Sequence, residues 1–168
     1  RSSLGCDRPA SGEFQRTPSP AKLTATQSPS TDEYCPRMTI EKINPSGLAQ
    51  PAGYSQVVVA TGTKRIYVSG QTGVGPDGKV VGDDLAAQTA QALRNVGIAL
   101  EAAGATWNDV AKMTILIVGY EPSMIQGLVT GMGDAFGTDI PTPATTLHGV
   151  HSLFAPEHLV EIEVIAEL

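Results

Sequence analysis

From Met38 onward the apolar positions fall into short alternating or stripe-like patterns. Val57-Val58-Val59-Ala60 is a β-branched run, and Thr61-Gly62-Thr63-Lys64 after it has turn character. Arg65-Ile66-Tyr67-Val68-Ser69-Gly70 then alternates polar and apolar, as a half-buried strand does. Together the two runs predict a hairpin. Asp83-Asp84 offers an N-cap, and Leu85, Thr89, Ala92, Leu93, Val96, Leu100 and Ala103 recur at three- and four-residue spacing, predicting a helix that stops at Gly104. Met113 to Val118 is nearly all apolar, as in a strand covered on both faces. A second helix is predicted over about 122–136, with Met124, Leu128, Met132 and Phe136 on one side, followed by strands over 142–150 and 159–168. The order β-β-α-β-α-β-β predicts an α+β fold, a sheet carrying both helices on a single face.

The last strand sorts its side chains by chemistry. Val160, Ile162, Val164, Ala166 and Leu168 point one way, and Glu161, Glu163, Ile165 and Glu167 the other. In the strand after Lys64, Arg65, Tyr67, Ser69 and Gln71 oppose Ile66 and Val68 in the same way. If the apolar face packs on the helices, the carboxylates lie on an uncovered face. A solvated polar face accounts for the charges. Tyr67 and Ile165 among them fit a face that packs on another subunit.

Composition divides the chain in two. Residues 1–37 contain Pro9, Pro18, Pro20, Pro29 and Pro36 among many Ser and Thr, with no apolar period. Such a segment cannot bury enough surface to offset its ordering entropy, so disorder is expected, as an upstream extension or an appended piece, with the folded domain at 38–168. It lacks the apolar stretch of a secretory signal, and no run approaches the length of a membrane span. A cytoplasmic protein is expected.

The whole chain has net charge −6; residues 38–168 hold 6 basic and 13 acidic side chains, a net of −7. That disfavours nucleic acid, whose phosphates need clustered Lys and Arg. Both cysteines, Cys6 and Cys35, fall in the tail, so the domain has no disulfide, thiolate nucleophile or Cys-based zinc site. His148, His151 and His158 lie close in sequence, but in strand and loop surroundings they are expected to be ordinary surface or edge histidines, with no metal. Gly73, Gly75, Pro76, Asp77 and Gly78 form a turn-rich connector without the Lys-Ser/Thr ending of a phosphate-binding loop.

Several runs resemble the Rid family (RidA/YjgF, also called endoribonuclease L-PSP). They are Tyr54-Ser55-Gln56, Ile66 to Gln71, Gln88 to Val96, Ala102-Ala103-Gly104-Ala105, Asp109 to Thr114 and Val160 to Val164. The resemblance spans essentially all of 38–168. It implies a chorismate-mutase-like fold, and a homotrimer with small-molecule clefts between neighbouring subunits. It further implies hydrolysis of enamines and imines, such as those derived from 2-aminoacrylate, to a keto acid and ammonia, without a cofactor.

Carried over residue by residue, the resemblance makes Glu161 the proton-handling group and places Tyr54, Ser69 and Gly70 in the cleft. The family's carboxylate-binding Arg follows Pro-Ala in the penultimate strand. In Pro143-Ala144-Thr145-Thr146-Leu147 that position is Thr145. Thr130 stands for the family's helix-two Asn and Leu147 for its cleft Cys. An arginine fork gives a carboxylate two charge-assisted bonds and a threonine hydroxyl one neutral one, so standard deaminase activity is not expected. Arg65 and His151 are the candidates to replace that cation. The readings are a Rid-type enzyme acting on an imine, enamine or related metabolite, a non-catalytic metabolite-binding trimer, and a ribonuclease.

Overall fold

The computed structural model describes residues 38–168. The tail expected to be disordered, with Cys6 and Cys35, lies outside the described residues. Two strands, β1 (Thr39–Ile43) and β2 (Val57–Thr61), pair antiparallel as a separate two-stranded sheet. This corrects the hairpin expected between 57–60 and 65–70. The next strand, β3 (Arg65–Thr72), belongs to the other sheet. The turn between β2 and β3 is held by the end of the chain. Thr63 N and Lys64 N donate to Leu168 O at 2.7 and 2.9 Å, and Leu168 N donates to Lys64 O at 2.8 Å.

Helix α1 (Leu85–Ala102) begins where Asp84 accepts a hydrogen bond from Ala87 N at 2.9 Å. It ends before Gly104, whose φ of +81° suits glycine. Its predicted stripe from Leu85 to Leu100 is buried. Then come β4 (Val110–Val118), a short 3-10 turn at Pro122–Met124, α2 (Ile125–Phe136), β5 (Ala144–Val150) and β6 (Val160–Glu167). The main sheet runs β3-β6-β4-β5. Only the β4–β5 pair is parallel, and α2 is the crossover such a pair requires.

Register separates the two faces. On one side Ile162 of β6 lies level with Ile115 of β4 and Leu147 of β5, and Val164 with Met113 and Thr145. This is the helix-covered side, where Val160, Ile162, Val164 and Ala166 are essentially fully buried. Each of these Val and Ile side chains stabilises the fold by about 1.5–3 kcal/mol. The α+β fold with both helices on one face of a mixed sheet is as expected. Helix α2 lies tight on α1 because residue 131 is glycine: a Cβ there would come within 2.5 Å of Ala86 O and 2.6 Å of Thr89 Cβ. Among the described residues, no helix is long and apolar enough to cross a membrane.

Candidate functional site

A pocket of about 570 Å³ opens beside α2, at the β5 edge of the sheet. Helix α2 contributes Ile125, Leu128, Val129 and Met132, spaced i, i+3, i+4 and i+7 on one face. The sheet contributes Ile115, Thr145 and Leu147, and the remaining wall includes Tyr54, Tyr120 and Ile140. Buried Ser55 positions Tyr54: its N–H donates to Pro143 O at 3.1 Å and its hydroxyl to Thr142 O at 2.7 Å. Tyr120 comes close to β5 because residue 149 is glycine; a Cβ there would stand 3.1 Å from Tyr120 Cβ. The hydroxyl of Thr145 donates to Pro143 O at 3.1 Å.

Among the described residues, none of the six Lys and Arg lines the pocket, and no carboxylate does. Lys42 binds Thr142 Oγ1 at 3.2 Å and stops short of the lining.

Glu161 is elsewhere. On the open face it stands between Thr72 of β3 and Leu116 of β4, with His148 of β5 beyond. Its carboxylate lies directly against Gly70: a Cβ there would fall 2.5 Å from Glu161 Cδ and closer still to Oε1. A register shift between Val68 and Gln71 puts one extra β3 residue at Ser69–Gly70. That shift corrects the expected side of Gln71, which is level with Ile162 of the helix-covered face. The bulge brings Gly70 to Glu161 and leaves Ser69 exposed.

The structure thus gathers Tyr54, Thr145 and Leu147 in one pocket, and Gly70 with Glu161 on the other side of the sheet. Thr130 is exposed on α2, within 3.5 Å of Gln126 Nε2, and does not line the pocket. Arg65 is level with Glu167, six positions along β6 from Glu161, about 20 Å away at strand rise. It forms an ion pair with the buried Glu167 carboxylate, and the hydrogen bonds it donates to Glu167 and then Tyr67 hold its pKa above the usual guanidinium value. His151 is exposed beyond the end of β5.

His158 departs from the expected surface histidine. It is buried, its Nδ1 has no hydrogen-bond partner among the described residues, and its ring meets Phe154 edge-on. The segment around it is drawn inward by Gln88, whose Nε2 donates to Glu157 O at 3.0 Å and whose Oε1 accepts from Leu159 N at 2.9 Å.

Sequence reasoning misses Ile115, Tyr120, Ile125, Val129 and Ile140 as pocket residues, and the predicted α2 stripe gives Leu128 and Met132 only as packing residues. The available signal was a second apolar pair, Ile125 and Val129, one turn apart beside the predicted stripe. Both stay largely exposed, at 44% and 49%.

Fold and pocket define a small α+β protein with a largely apolar pocket at a sheet edge. The endoribonuclease L-PSP family profile matches residues 46–168, and the chain belongs to that family, the RidA/YjgF proteins. The human 2-iminobutanoate/2-iminopropanoate deaminase is 43% identical over 65 residues, 38% of this chain and 46% of the human protein. The chain therefore matches under half the length of that curated relative. The Rid-family protein YyfB of Yersinia pestis superposes with a TM-score of 0.67 at 32% identity, covering 77% of this chain and 98% of its own. Rv2704 of Mycobacterium tuberculosis, a YjgF/YER057c/UK114 family member, gives 0.51 at 35% identity over 79% and 100%.

Proposed function

We propose that this chain is a Rid-type protein that binds a small imine or enamine lacking a carboxylate and hydrolyses it to a carbonyl compound and ammonia. The observation that carries this reading is a pocket without charged side chains, lined by Thr145, the residue for which the family resemblance implies an arginine. A buried carboxylate without a cation is costly, and loss of two charge-assisted bonds, at about 1.5–3 kcal/mol each, lowers efficiency roughly a hundredfold or more. Glu161 is the group assigned to move the proton of the attacking water. Hydrolysis also needs the pocket of one subunit to meet the open face of another, since the two lie on opposite sides of one protomer's sheet. The homotrimer implied by the family supplies such junctions, and the exposed Tyr67 beside Ile165 on the open face is consistent with one.

A second reading, a trimer that binds a metabolite without turning it over, is favoured by that same separation of Glu161 from the pocket. Ribonuclease activity has the least support: 13 acidic against 6 basic residues give RNA little grip.

The test is ammonia release by the purified full chain. Little or none is expected from 2-iminobutanoate, and measurable release from the corresponding decarboxylated imine. The variant Glu161→Gln is expected to abolish that release with oligomeric state unchanged. Turnover of 2-iminobutanoate at rates like those of the human deaminase would sink the carboxylate-free reading. A neutral imine hydrolysed equally well by Glu161→Gln would remove Glu161 from the chemistry.

A further inference from the structure

The hydroxyl of Thr145 has one proton, and that proton is committed. Pro143 O is a carbonyl, able only to accept, so the 3.1 Å contact fixes Thr145 as the donor. What Thr145 turns toward a ligand is therefore lone pairs. An acceptor at this position repels a carboxylate oxygen and favours an N–H. Apart from Tyr54 and Tyr120, the side chains around it are apolar: Ile125, Val129 and Met132 from the helix face Leu147 and Ile115 from the sheet. The volume of about 570 Å³ equals that of nearly twenty water molecules at about 30 Å³ each, far more than a three- or four-carbon imino acid occupies.

We propose that the pocket recognises an uncharged N–H donor, such as an imine, enamine or primary amide, carrying a hydrocarbon chain or aromatic ring of about five carbons or more. Thr145 accepts from the N–H, and the α2 side chains cover the substituent. This rests on the small-molecule reading above and specifies its ligand.

Binding can be tested apart from turnover, with stable amides titrated into the ¹⁵N-labelled full chain and followed by NMR. Hexanamide is expected to bind saturably, with shifts at Thr145, Leu147 and Val129. Acetamide, four methylenes shorter, is expected to bind about a hundredfold more weakly. Hexanoate should be at least tenfold weaker than hexanamide, having no N–H and a charge to desolvate. N,N-dimethylhexanamide, which keeps the carbonyl but has no N–H, should lose about three- to tenfold. In Thr145→Val the primary and dimethyl amides should bind alike.

Hexanoate binding as tightly as hexanamide, equal binding of the two amides by the wild-type chain, or no binding of any probe would each overturn the proposal. The wild-type series decides by itself if Thr145→Val does not fold. Hexanamide binding with no imine turnover would sink the hydrolase reading and leave this one standing.

Discussion

The two faces of the main sheet are built from the same strands and have opposite characters. On the helix-covered face, Val164, Met113 and Thr145 lie level, and the row beside them ends at Leu147 in the pocket. On the open face, Glu161, Glu163 and Glu167 alternate with them along β6, with Arg65 already paired to Glu167. A strand's period of two assigns every second residue to each environment, so β6 sends its apolar residues to the core under the helices and its carboxylates to the open face. The difference teaches that the apolar pocket and the Glu161 carboxylate are segregated within one protomer. The pocket side offers apolar side chains with Thr145, Tyr54 and Tyr120, and the Glu161 carboxylate lies on the other.

The largest way to break this division is to move Glu161 without touching the pocket. Gly70→Ala places a methyl group where the Glu161 carboxylate lies. The obstacle is the end of a flexible side chain, so the fold should survive with little change in Tm. Hydrolysis of a neutral imine should fall about 10²- to 10⁴-fold, the usual worth of a positioned acid or base, as in Glu161→Gln. Hexanamide affinity should be unchanged, because Gly70 does not line the pocket. A Gly70→Ala protein of full activity would place Glu161 outside the reaction.

The complementary change rebuilds the pocket's polarity. Thr145→Arg puts a guanidinium among Tyr54, Ile115 and Leu147, where two charged hydrogen bonds to a carboxylate would favour binding by about 3 kcal/mol or more. Ammonia release from 2-iminobutanoate should rise roughly a hundredfold over the wild-type chain, and hexanoate should outcompete hexanamide. No gain in either measurement would show that Thr145 is not where a substrate carboxylate would sit.

The smallest effect tests the wall rather than the site. Gly131→Ala pushes a methyl group into Ala86 O and Thr89, both on α1, so α2 must shift. Urea unfolding should show a loss of about 1–3 kcal/mol, with a modest weakening of hexanamide binding. Unaltered stability would mean that α2 is free to move and does not fix the pocket's width.

Much of this was written in the local pattern. The Leu85–Leu100 stripe, the Asp84 cap, the alternation of Val160 to Ala166 against Glu161 to Glu167 and the Gly104 stop all follow from period and capping, which act within a few residues. The partner of β2 was not legible, because Thr39–Ile43 carries a weak alternating signal and the 61–64 turn is held by Leu168, over a hundred residues away. Gln71 was assigned to the wrong face because the bulge at Ser69–Gly70 adds a residue that periodicity cannot count.

For the site, sequence determined which side chains exist: a Glu at 161, a glycine at 70 and a threonine at 145. Tertiary structure alone decided who meets whom. The crossover through α2 carried Thr145 and Leu147 to the helix side, and the Ser55 strap brought Tyr54 to them. Strand pairing set Glu161 against Gly70 on the opposite face. Those are long-range contacts, whose geometry depends on register and crossover rather than on the identity of the neighbouring residue.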